Sequence, residues 1–476
     1  LYQESLDVSR KLAERNANAY LPDVAMTCNN LGGLYYETKR YEEAEKLYQE
    51  SLDVSRKLAE RNADAYLPDV AMTCNGLANL YSHEHRYEEA EKLYQEALDV
   101  YRKLANKNAD AYLPYVAMTC NNLSNLYSDE HRYEEAEKLY QEALDVYRKL
   151  AKKNANAYLP DVAMTCNGLA VLYGDEHRYE EAEKLYQESL DIRRNLAKKN
   201  ADAYLPDVAM TCNDLAGLYY KTKRYEEAEQ LYHEALDIRR NLAKKNANAY
   251  LPDVAITCNN LGGLYYETKR YEEAEKLYQE SLDISRTLAK KHANAYLPDV
   301  AMTCNNLGAL YHETKRYEEA EKLYQESLDI RRNLAKKHAN AYLPDVAMTC
   351  NNLGGLYYET KRYEEAEQLY HEALDIRRNL AKKNANAYLP DVAITCNNLA
   401  ILYKDNHKYE EAEKLYQESL DVYRKLANKN ADAYLPYVAI TCKNLAILYN
   451  NNKTKQFEEA EKLYHEAGDI MLKFSK

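Results

Sequence analysis

The sequence predicts an all-α fold, an α-solenoid of about ten tandem helix pairs. Two observations indicate this fold. Ten prolines, from Pro22 to Pro436, follow one another at a constant step of 46 residues, and ten cysteines, from Cys28 to Cys442, keep the same step. No stretch rich in Pro, Gly or Ser divides the 476 residues. A fixed period of this length is typical of proteins in which each repeat packs on its neighbours.

The first helix of each repeat, helix A, is predicted from the spacing of apolar residues. Pro22 suits a first helical turn, where its missing N–H would have no partner in any case. Val24, Cys28 and Leu31 follow at helical spacing and mark the side of the helix that we expect to be buried. In the first full repeat, helix A is therefore predicted over roughly residues 22–37.

A longer helix B is predicted after a short polar turn, in the segment RYEEAEKLYQESLDVSRKLAER. Ala44, Tyr48 and Leu52 mark its buried stripe. Acidic residues occupy its first turns and basic residues its end, which complements the helix dipole. The segment NANAYLP is then predicted to connect helix B to the next helix A.

We expect one solenoid over residues 1–476. Residues 1–21 are predicted to be a partial repeat with helix B only, residues 22–455 to be tandem pairs of helices A and B, and residues 456–476 to be a divergent C-terminal helix. Because the chain begins with Leu1 inside a helix B and without Met, we expect the native N-terminus to lie further upstream.

The repeat resembles the tetratricopeptide repeat (TPR), and most of all the long repeats of kinesin light chains. The residues at the characteristic offsets are Leu31, Gly32, Tyr35, Tyr41, Ala44 and Tyr48. The resemblance covers nearly the whole chain and implies a right-handed superhelix, a concave groove lined by helices A, and a scaffold that binds other proteins. Three features depart from the usual pattern: Cys28 replaces a large residue, no Pro closes helix B, and the repeat has 46 residues rather than roughly 34.

The cysteines are predicted to be buried packing residues. Equivalent residues of neighbouring repeats should lie roughly 8–10 Å apart, whereas disulfide-linked Cα atoms lie within about 7 Å, so a ladder of disulfides is excluded. No CxxC or Cys/His pair has zinc spacing, and we predict no metal site. The histidines His85, His131 and His177 are predicted to lie in solvated turns. Free thiols fit a reducing compartment such as the cytoplasm without requiring one.

Composition and repetition exclude several classes of function. Catalysis needs a unique cluster of groups, whereas almost every polar residue here occurs in about ten copies, so we predict a non-enzyme without a cofactor. A net charge of −13 argues against nucleic-acid partners. No apolar run approaches the length of a membrane span.

A stripe of helix A, opposite the side marked by Cys28 and Leu31, is the predicted binding groove. It contains Met26, Asn29 and Tyr36, and the position of Met26 is Met or Ile in every repeat. The further groove candidates are Asn75, Asn121, Asn167, Asn213, Asn259, Tyr266, Asn305, Asn351, Tyr358 and Asn397. Asn both donates to and accepts from a peptide backbone, and Met adapts to varied side chains. The alternative interpretation is that Asn29 bonds to neighbouring helices and Met26 packs between them.

Two functions therefore remain open. The chain is either a scaffold that holds a protein or extended peptide in the groove, or a structural protein that assembles with itself into oligomers or filaments. The similarity of the repeats, and 49 Tyr against 2 Phe and no Trp, favour a repetitive ligand or self-association. The assembly candidates at the two ends are Leu1, Tyr2, Leu6, Ile470, Met471, Leu472 and Phe474.

Overall fold

The protein folds into tandem α-helices that form two compact units. The structure, a computed structural model, describes residues 2–451 and 456–474. Unit 1 comprises Leu1–Tyr250 and unit 2 comprises Leu251–Lys476. The described part of the chain contains 21 helices and no strand, which confirms the all-α prediction and the helix pairs with a step of 46 residues.

Even-numbered helices are helices A and odd-numbered helices are helices B. Unit 1 begins with α1 (Tyr2–Arg15), α2 (Ala17–Glu37), α3 (Tyr41–Arg61), α4 (Ala63–His83), α5 (Tyr87–Lys107) and α6 (Ala109–Asp129). It continues with α7 (Tyr133–Lys153), α8 (Ala155–Asp175), α9 (Tyr179–Lys199), α10 (Ala201–Lys221) and α11 (Tyr225–Lys245). The boundary between the units falls within α12 (Ala247–Glu267).

Unit 2 continues with the same alternation. Its helices are α13 (Tyr271–Ala289), α14 (Ala293–Glu313), α15 (Tyr317–Ala335), α16 (Ala339–Glu359), α17 (Tyr363–Lys383), α18 (Ala385–Asp405), α19 (Tyr409–Ala427), α20 (Ala431–Asn451) and α21 (Phe457–Phe474). Each helix from α1 to α10 packs against the next, as does each from α13 to α20, and consecutive helices A from α2 to α10 and from α14 to α20 also touch.

The start of helix A differs from the prediction. Helix α2 begins at Ala17, so Pro22 lies inside the helix and the segment NANAYLP is helical rather than a connection. Asn16 explains the early start, because its side chain accepts a hydrogen bond from the backbone N–H of Ala19 at 3.3 Å and caps the helix. The partial first repeat therefore ends with α1 at Arg15, not at residue 21, and helices A are as long as helices B.

The core lies between the two helices of a pair and the next helix along the chain. At the start of unit 1, Leu6 of α1 packs with Val24, Cys28 and Leu31 of α2. All ten cysteines are buried and none forms a disulfide, which agrees with their predicted packing role. Burial raises the pKa of the Cys28 thiol to about 12.

The turn from helix A to helix B ends in a left-handed residue, which is Lys or His. Lys39 has φ of 61° and His85 has φ of 59°, a conformation that commonly ends an α-helix. The next residue, Arg86, donates its backbone N–H to the carbonyl of Tyr81 at 2.8 Å, and its guanidinium stacks on the Tyr81 ring at 3.7 Å. The same guanidinium pairs with Glu45 of the preceding helix B at 2.8 Å, so this turn joins neighbouring repeats.

Helices B are linked to one another by a ladder of ion pairs along each unit. In unit 1 Arg56 of α3 pairs with Glu96 of α5 at 2.6 Å, and in unit 2 Arg332 of α15 pairs with Glu372 of α17 at 2.5 Å. These side chains are about half exposed, and pairs of this kind contribute about 0–1 kcal/mol each. The ladder therefore sets the alignment of the helices more than their stability.

Candidate functional site

The Met or Ile position of helix A is at least partly exposed: Met26, Met72, Met164 and Ile440 are exposed, and the equivalent residue is half-buried in the other six repeats. Met26 on α2 is 55% exposed, Met164 on α8 is 46% exposed and Ile440 on α20 is 47% exposed. Large apolar side chains are usually buried, so a repeated row of them at the surface indicates a contact face. We call this row, together with the asparagines beside it, the A face.

The asparagines of the A face are buried or half-buried. Six of the candidates are buried: Asn75, Asn121, Asn167, Asn213, Asn259 and Asn305. The candidates Asn29, Asn351 and Asn397 are half-buried. The side chains of these six residues are therefore covered, and helices α4, α6 and α8, which carry Asn75, Asn121 and Asn167, touch in turn.

Some of these asparagines bond to neighbouring helices through their side-chain N–H groups, as the alternative interpretation expects. The Nδ2 atom of Asn121 donates to Thr165 Oγ1 on the next helix A at 2.7 Å. In unit 2, Asn397 donates in the same way to Thr441 Oγ1 at 2.8 Å. These bonds join neighbouring helices A, so the asparagines have a structural role through their N–H groups.

In unit 2 the side-chain carbonyl groups of three of these asparagines accept hydrogen bonds within the protein. The residue after each of these asparagines in the repeat is also Asn, and its amide reaches back to the preceding repeat. Asn306 donates to Asn259 Oδ1 at 3.1 Å, Asn352 donates to Asn305 Oδ1 at 3.1 Å, and Asn398 donates to Asn351 Oδ1 at 3.0 Å. Three consecutive carbonyl groups of unit 2 therefore have partners in an asparagine ladder.

In unit 1 four consecutive carbonyl groups accept no hydrogen bond from any described residue. They are the Oδ1 atoms of Asn29, Asn75, Asn121 and Asn167, which are shielded from solvent. Asn397 in unit 2 shares this condition as a single residue. An acceptor that is buried without a partner costs about 1–3 kcal/mol, so a run of four such groups needs a physical explanation.

Substitutions in unit 1 remove the donors that unit 2 retains. Gly76 and Gly168 stand where the ladder would need Asn, so Asn29 and Asn121 receive no bond from the next repeat. The ring of Tyr48 occupies the space of the missing side chain, since a Cβ atom on Gly76 would lie 2.8 Å from it.

The other two unpaired carbonyl groups have different causes. Asn122 is present but donates to Asn79 Oδ1 at 3.2 Å, so it does not serve Asn75. Asp214 offers a carboxylate in place of an amide and accepts from Asn167 Nδ2 at 2.9 Å, so it cannot donate to the Asn167 carbonyl.

A cavity of about 520 Å³ opens on the A face of unit 1. Asn29 and Asn75, two of the residues with unpaired carbonyl groups, form part of its wall, and Met72 and Met118 contribute apolar surface. One side is closed by Tyr115, 43% exposed, whose ring stacks on that of Tyr101 with centroids 5.2 Å apart. The cavity therefore combines apolar walls with hydrogen-bond acceptors that lack donors.

The tyrosine candidates lie near the turn at the end of helix A. Tyr36, Tyr266 and Tyr358 are half-buried. The rings of Tyr36 and Tyr41 are 6.0 Å apart, as are those of Tyr266 and Tyr271. Burial raises the pKa of Tyr36. These ring contacts of Tyr36 and Tyr266 are with the first residue of the following helix B, so these tyrosines pack at the turn between helices A and B.

The assembly candidates do not form one surface patch. Leu6 and Ile470 are buried and belong to the core, so their assignment as contact residues is wrong. Tyr2, Met471 and Leu472 are exposed. Leu1 lies outside the described residues, and so does the side chain of Phe474.

The sequence alone did not identify the cavity, although its signal was present. The Ser55 and Asp69 positions are both Tyr in the next repeat, as Tyr101 and Tyr115, and this joint change creates the stacked pair. The histidines of the turns also have defined partners: His177 Nδ1 lies 2.6 Å from the Tyr179 hydroxyl. Within residues 2–451 and 456–474, no group of three His, Cys, Asp or Glu side chains could hold a metal ion.

The repeat pattern is matched by the family described as tetratricopeptide repeat, in eight overlapping windows that together run from residue 23 to residue 425. The chain belongs to this family. The match identifies TPRs and no catalytic domain. No curated protein matches the sequence at a significant level. None of the helices that the structure describes has the length and apolar character of a membrane span.

Several solved structures are similar to this TPR chain. BtubC (BKLC) from P. vanneervenii is 26% identical, with 52% of this chain and 92% of BtubC covered and a TM-score of 0.42. A kinesin light chain protein of Podospora anserina with nearly identical TPR-like repeats is 20% identical, with 47% and 98% covered and a TM-score of 0.37. The quorum sensor NprR from B. thuringiensis, in its apo form, is 19% identical, with 82% and 97% covered and a TM-score of 0.49.

Proposed function

We propose that the chain is a non-enzymatic scaffold that binds an extended polypeptide along its A face. The observation that supports the proposal most strongly is the cavity of about 520 Å³ on the A face of unit 1, which Asn29, Asn75, Met72 and Met118 border. Burial of apolar ligand side chains against Met72 and Met118 supplies binding free energy, and amides at the border of a cavity are groups that bond to a peptide backbone.

The alternative function, self-assembly into oligomers or filaments, gains no support from the end residues, because Leu6 and Ile470 are buried. Family membership favours protein partners, since TPRs in general mediate protein interactions. The scaffold function is therefore the one that we carry forward.

A library of random dodecamer peptides displayed on phage tests the proposal. Peptides selected on the full chain are synthesised and measured by fluorescence anisotropy against the wild type and against a variant with Asn29→Ala and Asn75→Ala, the two asparagines of the helix A stripe that border the cavity. We expect the variant to bind at least about tenfold more weakly, because two ligand hydrogen bonds of about 0.5–1.5 kcal/mol each are lost.

A matched control comes from unit 2. The variant with Asn305→Ala and Asn351→Ala removes two residues at the same repeat position whose carbonyl groups are already paired, and we expect it to bind the selected peptides as the wild type does. Circular dichroism verifies that both variants are folded. If all selected peptides bind the Asn29/Asn75 variant with unchanged affinity, the A face of unit 1 is not the binding site.

A further inference from the structure

We propose that the polypeptide segment bound in the cavity of unit 1 is basic: a Lys or Arg side chain of the partner pairs with Glu37, and a bulky apolar side chain of the same segment packs among Met72, Tyr115 and Met118. All four of these residues border the cavity. This inference rests on the proposed function and specifies the chemistry of the partner.

The wall of the cavity carries a negative charge at Glu37. The other described residues that line it are Asn, Gly, Leu, Met and Tyr, which are uncharged near neutral pH. Glu37 is the last residue of α2 and is exposed, and its side chain forms no ion pair or hydrogen bond with any residue that the structure describes. A ligand in the cavity therefore meets a carboxylate that attracts cations and repels anions.

The basic residues that follow α2 do not form part of the cavity. Arg40 pairs with Glu43 of α3, and neither Lys39 nor Arg40 lines the cavity. On the next helix A the residue equivalent to Glu37 is His83, whose pKa is lowered by burial and by the charge of Lys39. His83 is therefore neutral at pH 7 and adds no positive charge beside the cavity.

Further carboxylates lie on the helices on either side of Tyr115. Asp69 of α4 and Asp161 of α8 stand at the repeat position that Tyr115 occupies on α6, and α6 touches both helices. Both aspartates are half-buried and form no ion pair with any described residue, and burial raises the pKa of each. These charges, together with a net charge of −13 for the chain, favour the approach of a basic polypeptide.

The side chain before Glu37 in the cavity wall favours a long cationic side chain over a short one. Leu34 lines the cavity, is exposed, and lies one turn before Glu37 on α2. Lys and Arg have aliphatic stems that cover apolar surface while the charged group reaches beyond it. The stem can thus lie along Leu34 while the cation pairs with the carboxylate.

The other end of the cavity favours an apolar side chain. Met72 and Tyr115 are exposed and Met118 is half-buried, so burial of this surface by a ligand supplies binding free energy. The Tyr115 ring already stacks on Tyr101, with centroids 5.2 Å apart. Because the ring is held in place before a ligand binds, little conformational entropy is lost on binding.

Unit 2 offers matched positions that lack this combination. Glu359 stands at the repeat position of Glu37, but its carboxylate lies 3.1 Å from His312 Nε2 and accepts a hydrogen bond from the Tyr317 hydroxyl at 3.4 Å. Tyr437 repeats the stacked pair of Tyr115, since its ring lies 5.2 Å from that of Tyr423. In this part of unit 2, however, Asn398 and Ile401 replace Gly76 and Asn79 of the cavity wall.

Charge exchange between protein and peptide tests the basic residue. Selected dodecamers that depend on Asn29 and Asn75 are measured by fluorescence anisotropy at low ionic strength, where exposed charges are least screened. We expect each to contain Lys or Arg, and Glu37→Gln to weaken binding about threefold. Glu37→Lys should weaken it about tenfold and should prefer the dodecamer in which the basic residue is replaced by Glu. Glu359→Gln is the matched control and should leave the affinity unchanged.

Replacement of Tyr115 tests the apolar end. Tyr115→Asp introduces the residue that stands at this position in both neighbouring repeats, as Asp69 and Asp161, so we expect the fold to tolerate it. The variant should bind the dodecamers at least about fivefold more weakly, because a large ring is lost from the cavity wall. Tyr437→Asp removes the same stacked ring in unit 2 and should have no effect on binding. Circular dichroism verifies that all variants are folded.

The outcomes separate this inference from the proposed function. If dodecamers that depend on Asn29 and Asn75 are acidic or uncharged, or bind Glu37→Lys as tightly as the wild type, the basic partner is overturned while binding on the A face still stands. Equal losses from Tyr115→Asp and Tyr437→Asp would show a structural effect and overturn the apolar contact. If no selected peptide depends on Asn29 and Asn75, the proposed function fails, and the basic partner fails with it.

Discussion

The one cysteine in each repeat shows how burial of a side chain lowers the reactivity of its thiol. Cys166 lies on the buried side of α8, and burial raises the pKa of its thiol to about 12. The thiolate is the reactive form of cysteine. At pH 8 only about one thiol in ten thousand is then ionised, so repetition of the cysteine does not create a reactive surface.

Thiol labelling checks this account. In the native protein at pH 8 we expect a disulfide reagent to react with the ten cysteines much more slowly than in urea, where they are exposed and their pKa is near its ordinary value. The absorbance of the released thiol gives both rates. Rapid reaction of several native thiols would contradict the buried position that the structure gives to all ten.

The same pKa shift predicts loss of stability in alkali. Burial raises the pKa of the Cys74 thiol from 9.0 to about 12. A raised pKa in the folded state contributes stability that is fully present below the unfolded pKa and is lost as the pH rises toward the folded value. We therefore expect the free energy of unfolding, measured in urea, to fall as the pH rises from about 9 to 12. The Cys74→Ala variant should show a smaller fall, and an equal fall would assign the effect to other groups.

At the scale of the helix, the N-cap residue determines where helix A begins. Asn62 caps α4 by accepting from the backbone N–H of Ala65 at 3.3 Å, whereas His292 precedes α14 without a side-chain cap hydrogen bond. The two helices are equally long, so the fold tolerates the loss of the cap, but the N–H groups at the start of α14 lack that acceptor. Replacing histidine at this position by a residue that caps the helix should therefore stabilise it.

Restoring the cap should stabilise unit 2. We expect His292→Asn to raise the free energy of unfolding by about 0.5–2 kcal/mol, because Asn accepts the hydrogen bond that other repeats make at this position. Urea denaturation followed by circular dichroism measures the change. The Asn62→His variant is the matched control and should lower the free energy of unfolding by a similar amount. A loss of stability in His292→Asn, or a gain in Asn62→His, would show that capping does not control helix A.

The sequence predicted the helices and the core well because both depend on a period that is visible in one chain. Val24, Cys28 and Leu31 recur at helical spacing, and all three are buried. The start of helix A differs from the prediction because capping by Asn16 begins the helix five residues before Pro22, although Pro also suits a first turn.

The hydrogen-bonding state of the A-face asparagines could not be predicted from one repeat alone. Whether an Asn carbonyl is paired depends on a residue 47 positions away, as in the bond from Asn306 to Asn259. Asn122 shows that the presence of the donor is insufficient, since it bonds to Asn79 instead. For Asn29, Asn121 and Asn167 the replacement of that donor by Gly76, Gly168 and Asp214 is visible in the sequence, whereas for Asn75 only the side-chain positions show that its carbonyl is unpaired.

At the scale of the whole molecule, each helix pair contacts mainly its neighbours along the chain. Within each unit the contacts join adjacent helices and consecutive helices A. The stability of such an array is approximately the sum of the stabilities of the repeats and of the interfaces between them. Removal of one internal repeat should therefore lower stability without abolishing the fold.

Deletion of residues 293–338 tests this additivity. The deletion removes α14 and α15 and joins His292 to Ala339, which recreates the native dipeptide His338–Ala339 and leaves 46 fewer residues. We expect the same mean residue ellipticity at 222 nm and a lower midpoint in urea, because one repeat and one interface are lost while every remaining junction has a native sequence.

The matched control is a deletion of the same length shifted by half a repeat, residues 316–361, which joins Lys315 to Arg362 within the turn. It removes one helix B and one helix A of the same types and should lower the midpoint by a similar amount. Loss of the helical signal in both variants would show that the unit folds through contacts beyond nearest neighbours.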